Sequence, residues 1–175
     1  KHLALSYYSK PPFIAYAQWL GTHLFGDTEA GVRFVAPTVS ALAGWVLLRY
    51  VLGLTNARTS FFFLLAVCAT PLLSVGSILM TIDPLAVLFW VATTLAGWRA
   101  LQHNRLADWA WTGLWLGGGF LSKYMSPLHW LCFAVFFVLC PPARPRLRST
   151  GPWLALLINL ACIDRKSTRL NSSHG

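Results

Sequence analysis

Three charged residues stand apart in this chain: Lys10 in Tyr7-Tyr8-Ser9-Lys10-Pro11-Pro12, Asp83 in Thr81-Ile82-Asp83-Pro84, and Lys123 in Ser122-Lys123-Tyr124. An ammonium group is a compact point charge suited to holding a phosphate. A carboxylate can take a proton from a nucleophile or orient it. All three residues sit beside long apolar runs, where burying a charge costs about 2.5–3.5 kcal/mol on insertion scales. Such residues either mark turns at a membrane interface or line a cavity, and the pattern alone leaves both readings open. For Lys10 the simpler alternative is an anchor that meets lipid phosphates without selectivity.

Other chemistry-bearing residues form no recognisable set. His2, His23, His103 and His129 have no spacing that suggests a shared metal, and Asp27 and Glu29 are as well explained by helix capping as by base or ligand chemistry. Cys68, Cys132, Cys140 and Cys162 lie inside apolar runs without a C-x-x-C spacing, so they read as small buried residues with no disulfide. The triple glycine Gly117-Gly118-Gly119 lies within an apolar run rather than after a strand, which suits close helix packing and not a phosphate loop. Neither a Ser-His-Asp set nor a dinucleotide fingerprint occurs.

The elements that must position these residues are membrane helices. The chain has 175 residues, 56% of them hydrophobic and 11% charged, against about 25% charged in ordinary soluble domains. The formal net charge is +9. Its arginines gather in short patches between apolar runs, as orienting charges do, so nucleic acid is not an expected partner. The expected class is all-α, a polytopic transmembrane helical bundle. Residues 1–31 read as an external loop with an interfacial helix: Pro11-Pro12 can start a helix, Phe13, Ile14, Tyr16, Ala17, Leu20 and Leu24 recur at helical period, and Gly26-Asp27 turns the chain. Asp27 or Thr28 is placed to cap the next helix. Residues 32–163 read as about five spans and the start of a sixth, with runs at 32–54, 60–81 (kinked at Pro71), 85–98, 109–121, 127–140 and 153–163. Loops are expected at 99–105 and 141–152. Arg33 is expected to snorkel at the start of the first span.

The charges orient this bundle. Arg49 and Arg58, Arg99 and Arg105, and Arg144, Arg146 and Arg148 fall in alternate connections, which the positive-inside rule makes cytoplasmic. Lys10, Asp83 and Lys123 then share the external face. The chain starts at Lys1 rather than Met and is expected to begin in mid-protein. Residues 164–175, Asp164 to His174 above all, resemble one reading frame of a sequencing-adapter oligonucleotide. They are expected not to be native, and Arg165, Lys166 and Arg169 against Asp164 add +2 to the charge.

The ordered set Tyr7-Tyr8-Ser9-Lys10-Pro11-Pro12, Leu24-Phe25-Gly26-Asp27-Thr28-Glu29 with Val32-Arg33, Thr81-Ile82-Asp83-Pro84-Leu85 and Leu121-Ser122-Lys123-Tyr124 resembles bacterial members of glycosyltransferase family 39 over roughly residues 1–163. That family is related to protein O-mannosyltransferases and to the aminoarabinose transferase acting on lipid A. The resemblance implies a GT-C type fold in the bacterial inner membrane and transfer of a sugar from a polyprenyl-phosphate donor to a lipid, glycan or protein acceptor. It implies that Lys10 binds the carrier phosphate, that Asp83 supports catalysis from the same cavity, and that Lys123, Tyr8 and Tyr124 contact substrate. The family's Asp-Glu motif, with the catalytic acid, is expected ahead of Lys1, so the fragment itself is expected to be inactive. A divalent metal is a possible cofactor of the whole enzyme, but Ser9 stands where some relatives carry a glutamate ligand, and no residue here is assigned to metal. Membrane lipids are further partners, and the oligomeric state is left open. Two other classes fit a multi-pass chain: a transporter or lipid flippase, expected to show internal repeats and broken helices, and a structural subunit, which would tolerate loss of the external Lys and Asp.

Overall fold

The computed structural model describes residues 12–70, 83–123 and 126–171. Helices are the only regular elements among them, and they divide into two compact units, Phe13–Val91 and a second that runs from Ala92 onward.

In the first unit, α1 (Pro12–Phe25) begins at a proline, whose missing N–H costs nothing at a first helical position. It ends at Gly26, whose φ of 75° is a left-handed conformation that glycine adopts without a Cβ clash. Of the two candidate caps, Thr28 takes the role: its Oγ1 accepts from the Gly31 N–H at 3.1 Å. The short α2 (Glu29–Arg33) places Glu29 in its first turn and pairs it with Arg33 at 2.9 Å, both side chains well exposed. Arg33 therefore has a local partner, and an exposed pair of this kind contributes little to stability. Gly21 and Gly31 are both buried, and a Cβ on Gly21 would collide with the Gly31 carbonyl, so α1 and α2 meet backbone to backbone. Phe13 stacks on Phe89 with ring centroids 5.6 Å apart, joining the start of α1 to the helix Asp83–His103.

After a single turn residue, Phe34, comes α3 (Val35–Leu54). Its 20 residues rise about 30 Å, the thickness of a bilayer's hydrocarbon core. Only 11% of its most apolar window is buried, and Leu42, Trp45 and Leu54 point outward. A helix that is apolar all round yet barely buried is solvated by lipid. Thr55 and Asn56 turn the chain into α4 (Ala57–Ala69); Asn56 caps it by accepting from the Thr59 N–H at 2.9 Å. The run expected over 60–81 thus starts three residues earlier, and Pro71 lies outside the described residues.

α5 (Asp83–His103) starts in the first unit and continues into the second. Residues 99–103, expected as loop, extend this helix. Arg, Ala, Leu and Gln are all good helix formers, and hydropathy alone ended the run too early. Asn104, with φ 52°, stops it, as asparagine can where the chain turns left-handed. Then follow α6 (Leu106–Ser122), α7 (Ser126–Leu139), a 3-10 helix (Pro141–Arg148) and α8 (Thr150–Asn171). The 3-10 helix replaces most of the loop expected over 141–152 and turns 118° from α7. Arg144 fastens this corner by donating from Nε to the Phe137 carbonyl (3.2 Å) and from its terminal nitrogen to that of Val138 (2.7 Å). It thereby satisfies carbonyls that every helix C-terminus leaves open.

α6 and α8 run parallel and form the closest pair of the unit. A Cβ on Gly113 would sit 2.6 Å from the Ala155 carbonyl oxygen, and one on Gly117 would sit 2.7 Å from Cys162 Sγ. Gly113 and Gly117 are a G-x-x-x-G pair on one face, the spacing that lets membrane helices approach closely. Contact thus begins before the triple glycine, with Trp109 against Gly151 two turns earlier. Trp109, Ala100, Phe137 and Ala155 form the buried core. Beside it, Asn159 is 1% exposed and accepts from Trp130 Nε1 at 3.1 Å, tying α7 to α8. A double-mutant cycle of Trp130→Phe with Asn159→Leu is expected to give a coupling of about 0.6–1.7 kcal/mol in detergent unfolding; strict additivity would mean the bond contributes nothing.

Among the described residues, α3 and α5 are long and apolar enough to cross a membrane, with a third if α7 and the bent 3-10 helix act as one span. Ala57–Ala69 and Thr150–Asp164 are apolar but shorter.

Candidate functional site

Asp83 is the first residue of α5, exposed, with the buried Pro84 next to it. A carboxylate there lies at the positive end of the helix dipole. The turn expected at 81–84 is thus, in its second half, the start of a helix. Lys123 follows the last residue of α6 in extended conformation (φ −154°, ψ 132°) and is half-buried. Its backbone N–H donates to the Gly119 carbonyl at 2.8 Å and closes the helix. The preceding Ser122 is buried and donates to the Gly118 carbonyl at 3.0 Å. Lys10, Tyr8 and Tyr124 lie outside the described residues. Asp83 belongs to the first unit and Lys123 to the second.

Two relations bear on the expected site. In the first unit, Phe13 follows Lys10 by three residues and stacks on Phe89, six residues after Asp83. Six helical residues rise about 9 Å, so Phe13 meets α5 about that far along the helix from Asp83. Nothing in the apolar periodicity distinguished Phe13 or Phe89 from other core aromatics.

In the second unit, Asn104 Oδ1 accepts from Trp109 Nε1 at 3.3 Å and lies 3.3 Å from the Ser149 hydroxyl, whose shorter bond (2.7 Å) is to the Arg146 carbonyl. The connection bearing Arg105 and the segment bearing Arg146 and Arg148 therefore meet at one end of α6. Lys123 occupies the other end, about 25 Å away along 17 helical residues. Asn104 and Asn159 escaped the sequence reading; a lone asparagine inside or beside an apolar run was the available signal.

Among the described residues no three His, Cys, Asp or Glu side chains gather as a metal site. Glu29 is engaged by Arg33. The four cysteines carry unbridged thiols, and Cys68 and Cys132 are exposed.

Residues 9–164 match the family model described as dolichyl-phosphate-mannose-protein mannosyltransferase. Over 170 residues the chain is 34% identical to an undecaprenyl phosphate-alpha-4-amino-4-deoxy-L-arabinose arabinosyl transferase of Pseudomonas aeruginosa (strain LESB58), covering 92% of this chain and 30% of the relative. The corresponding protein of Pseudomonas paraeruginosa is 31% identical with the same coverage. A lipid A galacturonosyltransferase, RgtD, of Rhizobium johnstonii is 27% identical over 150 residues, 85% of this chain and 32% of the relative. The chain spans about a third of the length of these relatives. No solved structure matches it significantly.

Proposed function

Because this chain belongs to the dolichyl-phosphate-mannose-protein mannosyltransferase family of membrane glycosyltransferases, we propose that it contributes the donor-phosphate side of an active site that moves a sugar from undecaprenyl phosphate to a lipid A-type acceptor. The observation that carries this reading is the family match across both structural units, with relatives named for undecaprenyl-phosphate-linked aminoarabinose transfer and for lipid A galacturonosyl transfer. Transfer is a single displacement. An acceptor hydroxyl oxygen bonds to the anomeric carbon, the bond from that carbon to the phosphate oxygen breaks, undecaprenyl phosphate leaves, and a carboxylate takes the hydroxyl proton.

Within this scheme Lys10 neutralises the phosphate of the leaving group, whose charge grows as the bond breaks. Asp83 orients Lys10 or the acceptor. Lys123, with Tyr8 and Tyr124, holds the phosphate or sugar. The position of Lys123 at the end of α6 remote from Arg105, Arg146 and Arg148 supports its exposure on the external face, since arginine-rich ends stay cytoplasmic.

The function is tested by incubating membranes that contain the complete gene product with undecaprenyl-phosphate-linked aminoarabinose and lipid A, and analysing lipid A by mass spectrometry. Sugar-modified lipid A is expected. Absence of transfer from this and from a galacturonosyl donor would overturn the proposal. The face is tested by Lys123→Cys in a background where all four cysteines are serine, because Cys68 and Cys132 are exposed. A membrane-impermeant maleimide is expected to label it from the periplasmic side; labelling only after the inner membrane is broken would reverse the orientation.

A further inference from the structure

The arginine end of the second unit has features that orienting charges alone do not require. Positive-inside bias needs only that basic residues fall in the right connections. Here the two connections are drawn together: Ser149 and Trp109 both meet Asn104 Oδ1, so Arg105 and Arg148, their sequence neighbours, flank one spot. The 3-10 helix carrying Arg146 and Arg148 turns 118° from α7, leaving the axis of that span. Arg99, Arg105 and Arg148 are exposed and Arg146 is half-buried. Among the described residues none of the four is ion-paired, and Asp108 is the acid nearest to them in sequence.

Apolar and amphipathic groups border the same place. Leu147 projects between Arg146 and Arg148 and is 40% exposed. Trp98 and Trp153 are exposed beside the cluster, and Trp153 Nε1 donates to the Leu147 carbonyl at 3.1 Å. Indoles favour the depth of lipid headgroups. Guanidinium groups bind phosphate oxygens in a bidentate fork and are more weakly hydrated than ammonium. Unpaired guanidiniums on a segment angled off its span, rimmed by exposed Leu and Trp, match a phosphate that has acyl chains attached.

We propose that Arg105, Arg146 and Arg148, with Arg99, form a docking surface for the phosphodiester headgroup of an anionic glycerophospholipid, separate from Lys123 at the other end of α6. Arg144 is left out because its donors already hold the α7 carbonyls.

The test uses the full chain in nanodiscs of phosphatidylglycerol mixed equally with phosphatidylcholine, then mild extraction and measurement of the retained lipid. Wild type is expected to retain phosphatidylglycerol at least about tenfold over phosphatidylcholine, in line with the attraction of basic juxtamembrane clusters to anionic lipid. The R105Q/R146Q/R148Q variant is expected to lose that preference, while R49Q/R58Q in the first unit keeps it. The triple lysine variant is expected to fall between, retaining charge but not the fork. Equal retention of the two lipids by wild type overturns the proposal without recourse to any variant. So does loss of preference in R49Q/R58Q equal to that in the triple variant, or full displacement of the lipid by millimolar inorganic phosphate, which would make the surface a free-anion site.

Discussion

Replacing Gly113 with leucine is expected to separate α6 from α8 and lower the unfolding midpoint of the protein in detergent, with a loss of about 1–3 kcal/mol or more. The size is set by the atoms that the new side chain meets. Its Cβ would lie 2.6 Å from the Ala155 carbonyl oxygen and 2.9 Å from the Ala155 Cα. Both are backbone atoms in the middle of a helix and cannot turn aside, so the whole helix must move. Overpacking a well-packed interior ordinarily costs about 1–3 kcal/mol even where side chains can adjust. Gly117 offers a contrast, because its added Cβ would meet Cys162 at Sγ (2.7 Å) and Cβ (2.8 Å). Gly117→Ala should therefore be partly rescued by Cys162→Ala, which removes the sulfur but not the Cβ, whereas no side-chain truncation at position 155 should rescue Gly113→Leu. Thermal unfolding of the variants and the 117/162 double mutant measures this directly. An unchanged midpoint for Gly113→Leu would mean that α6 and α8 do not touch as described.

The same pair of helices marks where sequence reasoning stopped. Helical class, lipid as solvent and the run over α3 were legible because twenty apolar residues with few charges admit little else. The start of α1 at Pro12, its end at Gly26 and the cap at Thr28 were legible because those residue types have specific backbone roles. The triple glycine at 117–119 advertised close packing, yet which residues would face α8 depended on the rotational setting of α6, and a uniformly apolar helix does not encode that; Gly113 went unnoticed. Residues 99–103 were misjudged for the opposite reason: polarity was read as loop, although helix propensity and membrane burial are separate properties. The 3-10 helix was unreadable because its own Arg144 bends back to donate to carbonyls of α7, a contact with no periodic signature. For the site, Asp83 and Lys123 were expected at the ends of spans and lie at the ends of α5 and α6. The Phe13–Phe89 stack, which links the start of α1 to the helix of Asp83, could not be foreseen from either residue alone.

The second large effect is catalytic. Lys10→Ala in the complete gene product is expected to reduce sugar transfer by about 100-fold or more with its membrane abundance preserved, as removal of a group that stabilises developing charge does in other transferring sites. Lys10 precedes Pro12, the first residue of α1, so its replacement changes none of the residues Pro12–Phe25. Lys123→Ala is a parallel test, because the N–H that closes α6 on Gly119 is backbone and survives the substitution. If Lys123 holds donor phosphate or sugar in both ground and transition states, the variant should raise KM for the lipid-linked donor more than it lowers kcat. Lys10, acting on charge that appears only as the phosphate departs, should show the reverse, with kcat falling at least as far as kcat/KM. Arginine at position 10 should restore part of the rate by keeping the positive charge, whereas methionine, similar in length but uncharged, should not. Equal activity of the Lys10→Ala and Lys10→Met variants with wild type would remove Lys10 from the site, and an unchanged KM in Lys123→Ala would confine that lysine to its place at the end of α6.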